Sequence, residues 1–351
     1  MFLEVKRASC SDVLDRLMKM IRTILEYSIR TLVQEPDFDE LSGELEEEFQ
    51  YLLKRKPVKR AVEALFELTY LERVDVCDGF ENDAAFEEYI DDDSYQFREL
   101  TERERKVLSG LCNEIYKAVR RGLPPGDSAH TQFSVGMLKK QFVEENDNFG
   151  KVCPVCIREL LFDDREGEAD HYFPRKKYPA LTLHPYNILP VCSDCNGASV
   201  KHEKSPLADE DRGPGELRYV FLPYLRAAKP EVEFEVSDDE SRRIVMHPAA
   251  GTGPYTQRRI ENMERLYSLG ERWGKVLQHT CDDIRSELAE KCGPSDSDEE
   301  RLTKLRKLLE ANRESTKGRS EFVKGVYCGW LLKQTDEMLL GVFSRDSYLV
   351  H

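Results

Sequence analysis

Apolar residues recur every three or four positions along most of this chain. Leu14, Leu17, Met18, Ile21, Ile24, Leu25, Ile29 and Leu32 form one apolar stripe and predict an amphipathic helix over 11–34. Ser11 is placed to cap its start. Glu35-Pro36 stops it, because the residue before a proline is pushed out of the helical region. Further helices are expected over 40–54, with Leu41, Leu45 and Phe49 inward, over 58–72, and over 98–121. In the last of these Leu100, Val107, Leu108, Leu111, Ile115 and Val119 share a side, and Gly122-Leu123-Pro124-Pro125-Gly126 terminates it. Another helix covers 134–145, whereas the acidic stretch from Asp75 to Ser94 reads as an irregular surface loop.

The pattern changes at 146–151. From Cys153 to Lys204 the chain has turns, short apolar runs and three of the seven histidines, His171, His184 and His202. Beyond it, Val232, Phe234 and Val236 alternate with Glu231, Glu233 and Glu235. A second run over 242–247 follows Ser237-Asp238-Asp239-Glu240-Ser241, which predicts a half-buried hairpin. Helical periodicity then returns over 256–280, 298–314 and 319–340, with Gly293-Pro294-Ser295 as a break. The organisation expected is an acidic all-α domain over 1–148, a chemistry-bearing module with its hairpin over 149–250, and a C-terminal helical region over 251–351.

Composition narrows the function. The 351 residues are 40% hydrophobic, enough for real cores, and no apolar run reaches the length of a membrane span. The first residues lack a signal-peptide apolar segment, so a cytoplasmic protein with no membrane association is expected. Net charge is −15, which excludes a general basic coat for nucleic acid. The acidity is concentrated: residues 1–150 hold 21 Lys and Arg against 32 Asp and Glu, while 151–206 hold 8 of each. Contact with nucleic acid must come from a local patch, and the acidic end suits solubility or a protein partner.

Ten cysteines in a reducing compartment are not read as disulfides. Six are scattered and read as small buried hydrophobes. The other four form Cys153-Pro154-Val155-Cys156 and, 35 residues later, Cys192-Ser193-Asp194-Cys195. Two such knuckles supply the four thiolates of a tetrahedral structural Zn²⁺. Chance clustering and a redox dithiol are the competing readings; the second fits poorly without a βαβ context. A four-thiolate zinc has no open position and builds structure only.

Between and after the knuckles run Glu168-Ala169-Asp170-His171, Arg175-Lys176-Lys177, His184-Pro185-Tyr186-Asn187 and Cys195-Asn196, with Lys201 following. Over about 151–206 the chain resembles the HNH endonucleases, which share a ββα-metal (His-Me) finger. The resemblance implies a mainly α protein with a small zinc-stabilised ββα finger inserted between helical regions. It implies His171 as general base and Asp170 and Asn196 as ligands of a catalytic Mg²⁺ or Mn²⁺. It makes Asn187 the residue that orients the loop and the base, and sets Lys201 near the phosphate. The residue types agree. A carboxylate and an amide oxygen are hard donors suited to Mg²⁺. In a strand His171 and Asp170 point to opposite faces, so one can deprotonate water while the other holds metal. The knuckles tie strand and helix ends together, which brings Asp170 and Asn196 close across 26 positions.

Plainer roles stand beside these. Asn196 could cap a helix starting near Cys195. His202 could replace it as a ligand, and His184 reads as loop packing. Arg175, Lys176 and Lys177 form a basic loop able to grip a phosphate backbone, or an ordinary solvated charge run. Arg258, Arg265 and Arg272, seven apart, would share one helix face as an accessory backbone-binding surface or as plain solvated surface. The expectation is a metal-dependent endonuclease of DNA, with RNA not excluded, in bacterial antiviral defence or restriction. The competing classes are a zinc-stabilised binding module without chemistry and a nuclease subunit active only with a protein partner such as an ATPase.

Overall fold

The computed structural model describes residues 3–31, 33–122, 133–146, 151–160, 167–207, 216–237, 243–293, 295–313 and 318–343. The chain is mainly helical, with two separate two-stranded antiparallel sheets. The N-terminal helices are α1 (Asp12–Arg30), α2 (Phe38–Glu44), α3 (Gln50–Leu53), α4 (Lys56–Phe66), α5 (Tyr70–Ala84), α6 (Glu102–Val119) and α7 (Val135–Glu145). The predicted stripe of α1 faces the core: Leu14, Leu17, Ile21, Ile24 and Leu25 are buried. The expected terminator at 123–126, the 147–150 part of the expected module boundary and the 238–241 turn lie outside the described residues.

Three expectations in this region are corrected: the helix over 40–54 is two short helices, α2 and α3, with an extended Leu45 and a 3-10 turn over Glu47–Phe49 between them. The helix over 58–72 is two helices. Thr69 caps α5 by accepting from Glu72 N while Glu72 returns to the Thr69 N–H, a reciprocal box that starts a new helix. The acidic stretch from Asp75 is not loop as far as Ala84. Val76, Phe80 and Ala84 recur every fourth position and are buried, and the acids between them face outward. Asp83 is the exception. It is buried, accepts from Arg98 N at 2.8 Å, and burial pushes its carboxyl up to about 6.

Strand β1 (Gly167–His171) pairs antiparallel with β2 (Ile188–Cys192), Asp170 opposite Leu189 and His171 opposite Ile188. One helical turn, α8 (Ser193–Asn196), follows directly. Strands β3 (Val232–Val236) and β4 (Ile244–Pro248) make the expected hairpin, with Val232 and Val236 buried and Glu233 and Glu235 exposed. The C-terminal helices are α9 (Thr256–Tyr267), α10 (Leu269–Lys291), α11 (Asp298–Asn312), α12 (Arg319–Leu331) and α13 (Asp336–Val342). The single helix expected over 256–280 is broken at Ser268, whose φ of 47° and ψ of 48° are left-handed. Among the described residues no helix is long and apolar enough to cross a membrane.

The N-terminal helices pack on the β1–β2 region and the C-terminal helices on the β3–β4 hairpin. Phe86 and Phe97 lie 5.4 and 5.3 Å from Phe173, just after β1, and Phe97 lies 4.9 Å from Tyr178. At the second hairpin the fully buried Trp273 of α10 stacks edgewise on Phe234 of β3 at 5.9 Å and meets Phe322 of α12 at 5.1 Å. Such aromatic contacts fix orientation as well as burying area.

Candidate functional site

The knuckles are built by backbone. Cys153 N donates to Arg158 O at 2.8 Å and Ile157 N to Cys153 O at 2.9 Å, with Ile157 held at a φ of 60°. For a β-branched residue that conformation is costly and survives only where its surroundings impose it. The second pair spans the end of β2 and α8, so the helical turn itself brings Cys192 and Cys195 to one side. All four cysteines are buried and unbridged, and their sulfurs lie within 4.8 Å of one another. Cys153 and Cys195 Sγ are 3.9 Å apart, and Cys156 and Cys192 Sγ 3.6 Å. Four sulfurs about 2.3 Å from a central Zn²⁺ would be about 3.8 Å from each other, so the set fits a tetrahedral ion. Arg158 and Asp194 join the two knuckles at the surface with a 2.7 Å ion pair. Among the described residues these cysteines are the only group of three or more Cys, His, Asp or Glu side chains close enough to share an ion.

Asp170 lies on the β1 face shared with Glu168. It is 4% exposed, and the Lys201 ammonium, itself fully buried, is 2.9 Å from each of its oxygens. Lys201 Nζ also donates to His171 O at 2.9 Å. Burial pushes the Asp170 carboxyl up and the Lys201 ammonium down, while each partner pulls the other back toward the charged form. Lys201 therefore stands in turns that follow α8, inside the protein beside Asp170. Asn196 is half-buried, and its amide nitrogen donates to Glu168 Oε2 at 2.5 Å, which directs its carbonyl oxygen away from that bond. Asp170, Lys201 and the His171 backbone thus meet in one place, with Asn196 and Glu168 paired farther out on the same face of β1.

His171 points to the other face, as strand alternation requires. Its Nε2 is 2.9 Å from Thr182 O. A carbonyl can only accept, so Nε2 carries the proton and Nδ1 is the basic nitrogen. The ring is 8% exposed and meets the edge of Tyr116 from α6 at 5.0 Å. Burial, helped by the nearby charges of Arg175 and Lys201, lowers its pKa to about 3, so the imidazole stays neutral. Asn187 is fully buried. Its Oδ1 accepts from Phe173 N at 2.6 Å, and its Nδ2 donates to Phe173 O and Leu181 O at 3.1 and 2.8 Å. It closes the loop that carries Thr182.

The basic loop is divided. Arg175 donates to Asn113 at 3.0 Å and covers Tyr116 at 5.1 Å, next to His171. Lys176 pairs with Glu203 at 2.7 Å, and Lys177 is exposed. His184 is buried between Ala84 O and Phe86, a packing residue; His202 is exposed. The arginines expected on one helix face do not share one. Arg258 covers Tyr219, Arg265 binds the Ser205 carbonyl, and Arg272, beyond the break at Ser268, reaches Cys195.

Sequence reasoning missed Thr182, Tyr116 and Trp273, and it gave Arg272 a surface role in place of its contact with Cys195. Thr182 acts through its carbonyl, which carries no side-chain signal. The others come from helices 55 to 117 positions away from the residues they touch.

Over 177 residues the chain is 24% identical to the Septu protein PtuB of Bacillus thuringiensis. Those residues are 49% of this chain and 65% of that protein, less than two thirds of the relative's length. No protein-family model matches the chain, and no solved structure matches it.

Proposed function

We propose that the chain is a metal-dependent endonuclease of the HNH type, its β1–β2–α8 unit acting as the ββα finger and its four cysteines holding a structural Zn²⁺. The observation that carries the reading is the state of His171. Thr182 O holds the imidazole as the Nε2–H form, which makes Nδ1 the basic nitrogen that would take a proton from a water admitted beside it. The resulting hydroxide attacks phosphorus, the P–O3′ bond breaks with its electron pair going to the 3′ oxygen, and that oxygen takes a proton from water to give 5′-phosphate and 3′-hydroxyl ends. Asp170 and the free amide oxygen of Asn196 are hard donors that fit Mg²⁺ or Mn²⁺, with Lys201 as the cation that competes for Asp170. When bound there, such an ion would offset charge on the phosphate and the leaving oxygen. Arg175, which donates to Asn113, covers Tyr116 and lies within the field of Glu203, would offer its charge to a DNA phosphate beside His171, and Lys177 adds a second cation.

The distant similarity to a Septu protein supports a role in anti-phage defence. The burial of His171 under Tyr116 favours a subunit that works fully only in a complex, with an ATPase as candidate partner docking on the acidic helices. The test is plasmid cleavage by purified protein in Mg²⁺, Mn²⁺ or EDTA beside folded His171→Ala. Metal-dependent cutting that falls at least 100-fold in the variant is expected, since general-base catalysis is worth about 10²–10⁴. Cutting that persists in His171→Ala refutes the mechanism. A wild type inert on DNA and RNA, alone and with partner, favours the non-catalytic zinc module.

A further inference from the structure

One turn of α10 touches both knuckles. Arg272 Nη1 donates to Cys195 Sγ at 3.3 Å, and the adjacent Trp273 Nε1 donates to Cys156 O at 3.2 Å. The left-handed break at Ser268 is what starts α10 afresh and aims this turn at the sulfurs. The Arg272 guanidinium is partly buried, also contacts Tyr267 O at 3.3 Å, and forms no ion pair with a carboxylate among the described residues. Four thiolates around one Zn²⁺ carry a net charge of about −2, and burying such a charge needs a counter-charge. A guanidinium is always cationic and is more weakly hydrated than an ammonium, so it suits a buried position beside sulfur.

We propose that Arg272 is an outer-sphere ligand of the four-cysteine centre, retaining its metal and making that metal the joint between the knuckles and the C-terminal helices. Its N–H on Cys195 draws electron density from the sulfur, which slows both protonation and displacement of that ligand. Such outer-shell donors typically change metal affinity by about 10–100-fold. Because α10 also packs on β4 and α12, a loss of the metal frees more than the knuckles.

The proposal rests on the cysteines' holding zinc, and metal content measured on each protein beforehand separates the two readings. Zinc-loaded full-length wild type, Arg272→Met, Arg272→Lys and the surface control Lys275→Met are mixed with excess chromogenic chelator, and zinc transfer is timed. Arg272→Met keeps the apolar stem and should release zinc at least 10-fold faster, Arg272→Lys should fall between, and Lys275→Met should match wild type. Removing zinc from wild type should raise amide exchange in the first turns of α10. If Arg272→Met fails to fold, the rate of Arg272→Lys and the exchange measurement decide. Equal release rates, or exchange in α10 indifferent to zinc, overturn the proposal, as does a wild type that carries no zinc.

Discussion

Replacing Lys201 with methionine tests the innermost contact of the site. Methionine matches most of the stem volume and removes the ammonium. It leaves the Asp170 carboxylate, 4% exposed, without its cation, and the His171 carbonyl without its donor. Breaking a buried pair by removing one member costs about 3–5 kcal/mol, because the remaining charge stays desolvated. That is roughly two to three and a half powers of ten in the folding equilibrium, at about 1.4 kcal/mol each. The cost should depend on pH. Unpaired, Asp170 has a folded pKa well above its unfolded value, so between the two the native state binds a proton the unfolded chain lacks. Stability of the variant then falls as pH rises through that window, and its deficit is smallest in acid. Urea unfolding followed by tryptophan fluorescence reads the change, since Trp273 sits beside the cysteines. Adding Asp170→Asn removes the stranded charge, so the double variant should be more stable than Lys201→Met alone. A Lys201→Met cost below about 1 kcal/mol, or strictly additive single changes, would sink the buried-pair account.

Two further outcomes follow from the same geometry. Cys153→Ala should lose bound zinc by metal analysis and unfold the 151–207 region, because ligation supplies much of the folding energy of such knuckles; a soluble, zinc-free wild type contradicts this. His171, lowered to about 3, should show no NMR titration between pH 5 and 8, and burying it neutral should cost stability as pH falls from 6.5 toward 3; an inflection near 6.5 would refute the buried neutral state.

Much of this architecture was legible because one face of each element repeats. The stripe of α1 and the alternation of β3 are visible without neighbours, and so is the pairing of Cys-x-x-Cys units. The errors came where two signals competed. Over 75–84 the charge density masked Val76, Phe80 and Ala84, whose four-residue spacing prevails because burial rewards one face whatever the other carries. At Ser268 the left-handed residue is not itself a glycine; Gly270, two positions on, was the only breaker nearby, and periodicity ran through it. The four clustered cysteines were legible by type and spacing, but the partners of Asp170, His171 and Lys201 were not. Lys201 was expected near phosphate on a helix. It stands in the interior, where Asp170 and the His171 carbonyl offset part of the cost of taking its ammonium out of water.

The Asn187 amide has a wider effect on how this region can come apart. Sixteen residues separate β1 from β2, long enough to open as an independent flap of chain, yet its start at Phe173 and its middle at Leu181 are both bonded to the side chain of its last residue, Asn187. Opening it locally would strip one carboxamide of three bonds at once with no water in reach, so heat should find no partial way in: imidazole, strand pair and knuckles ought to melt together or not at all.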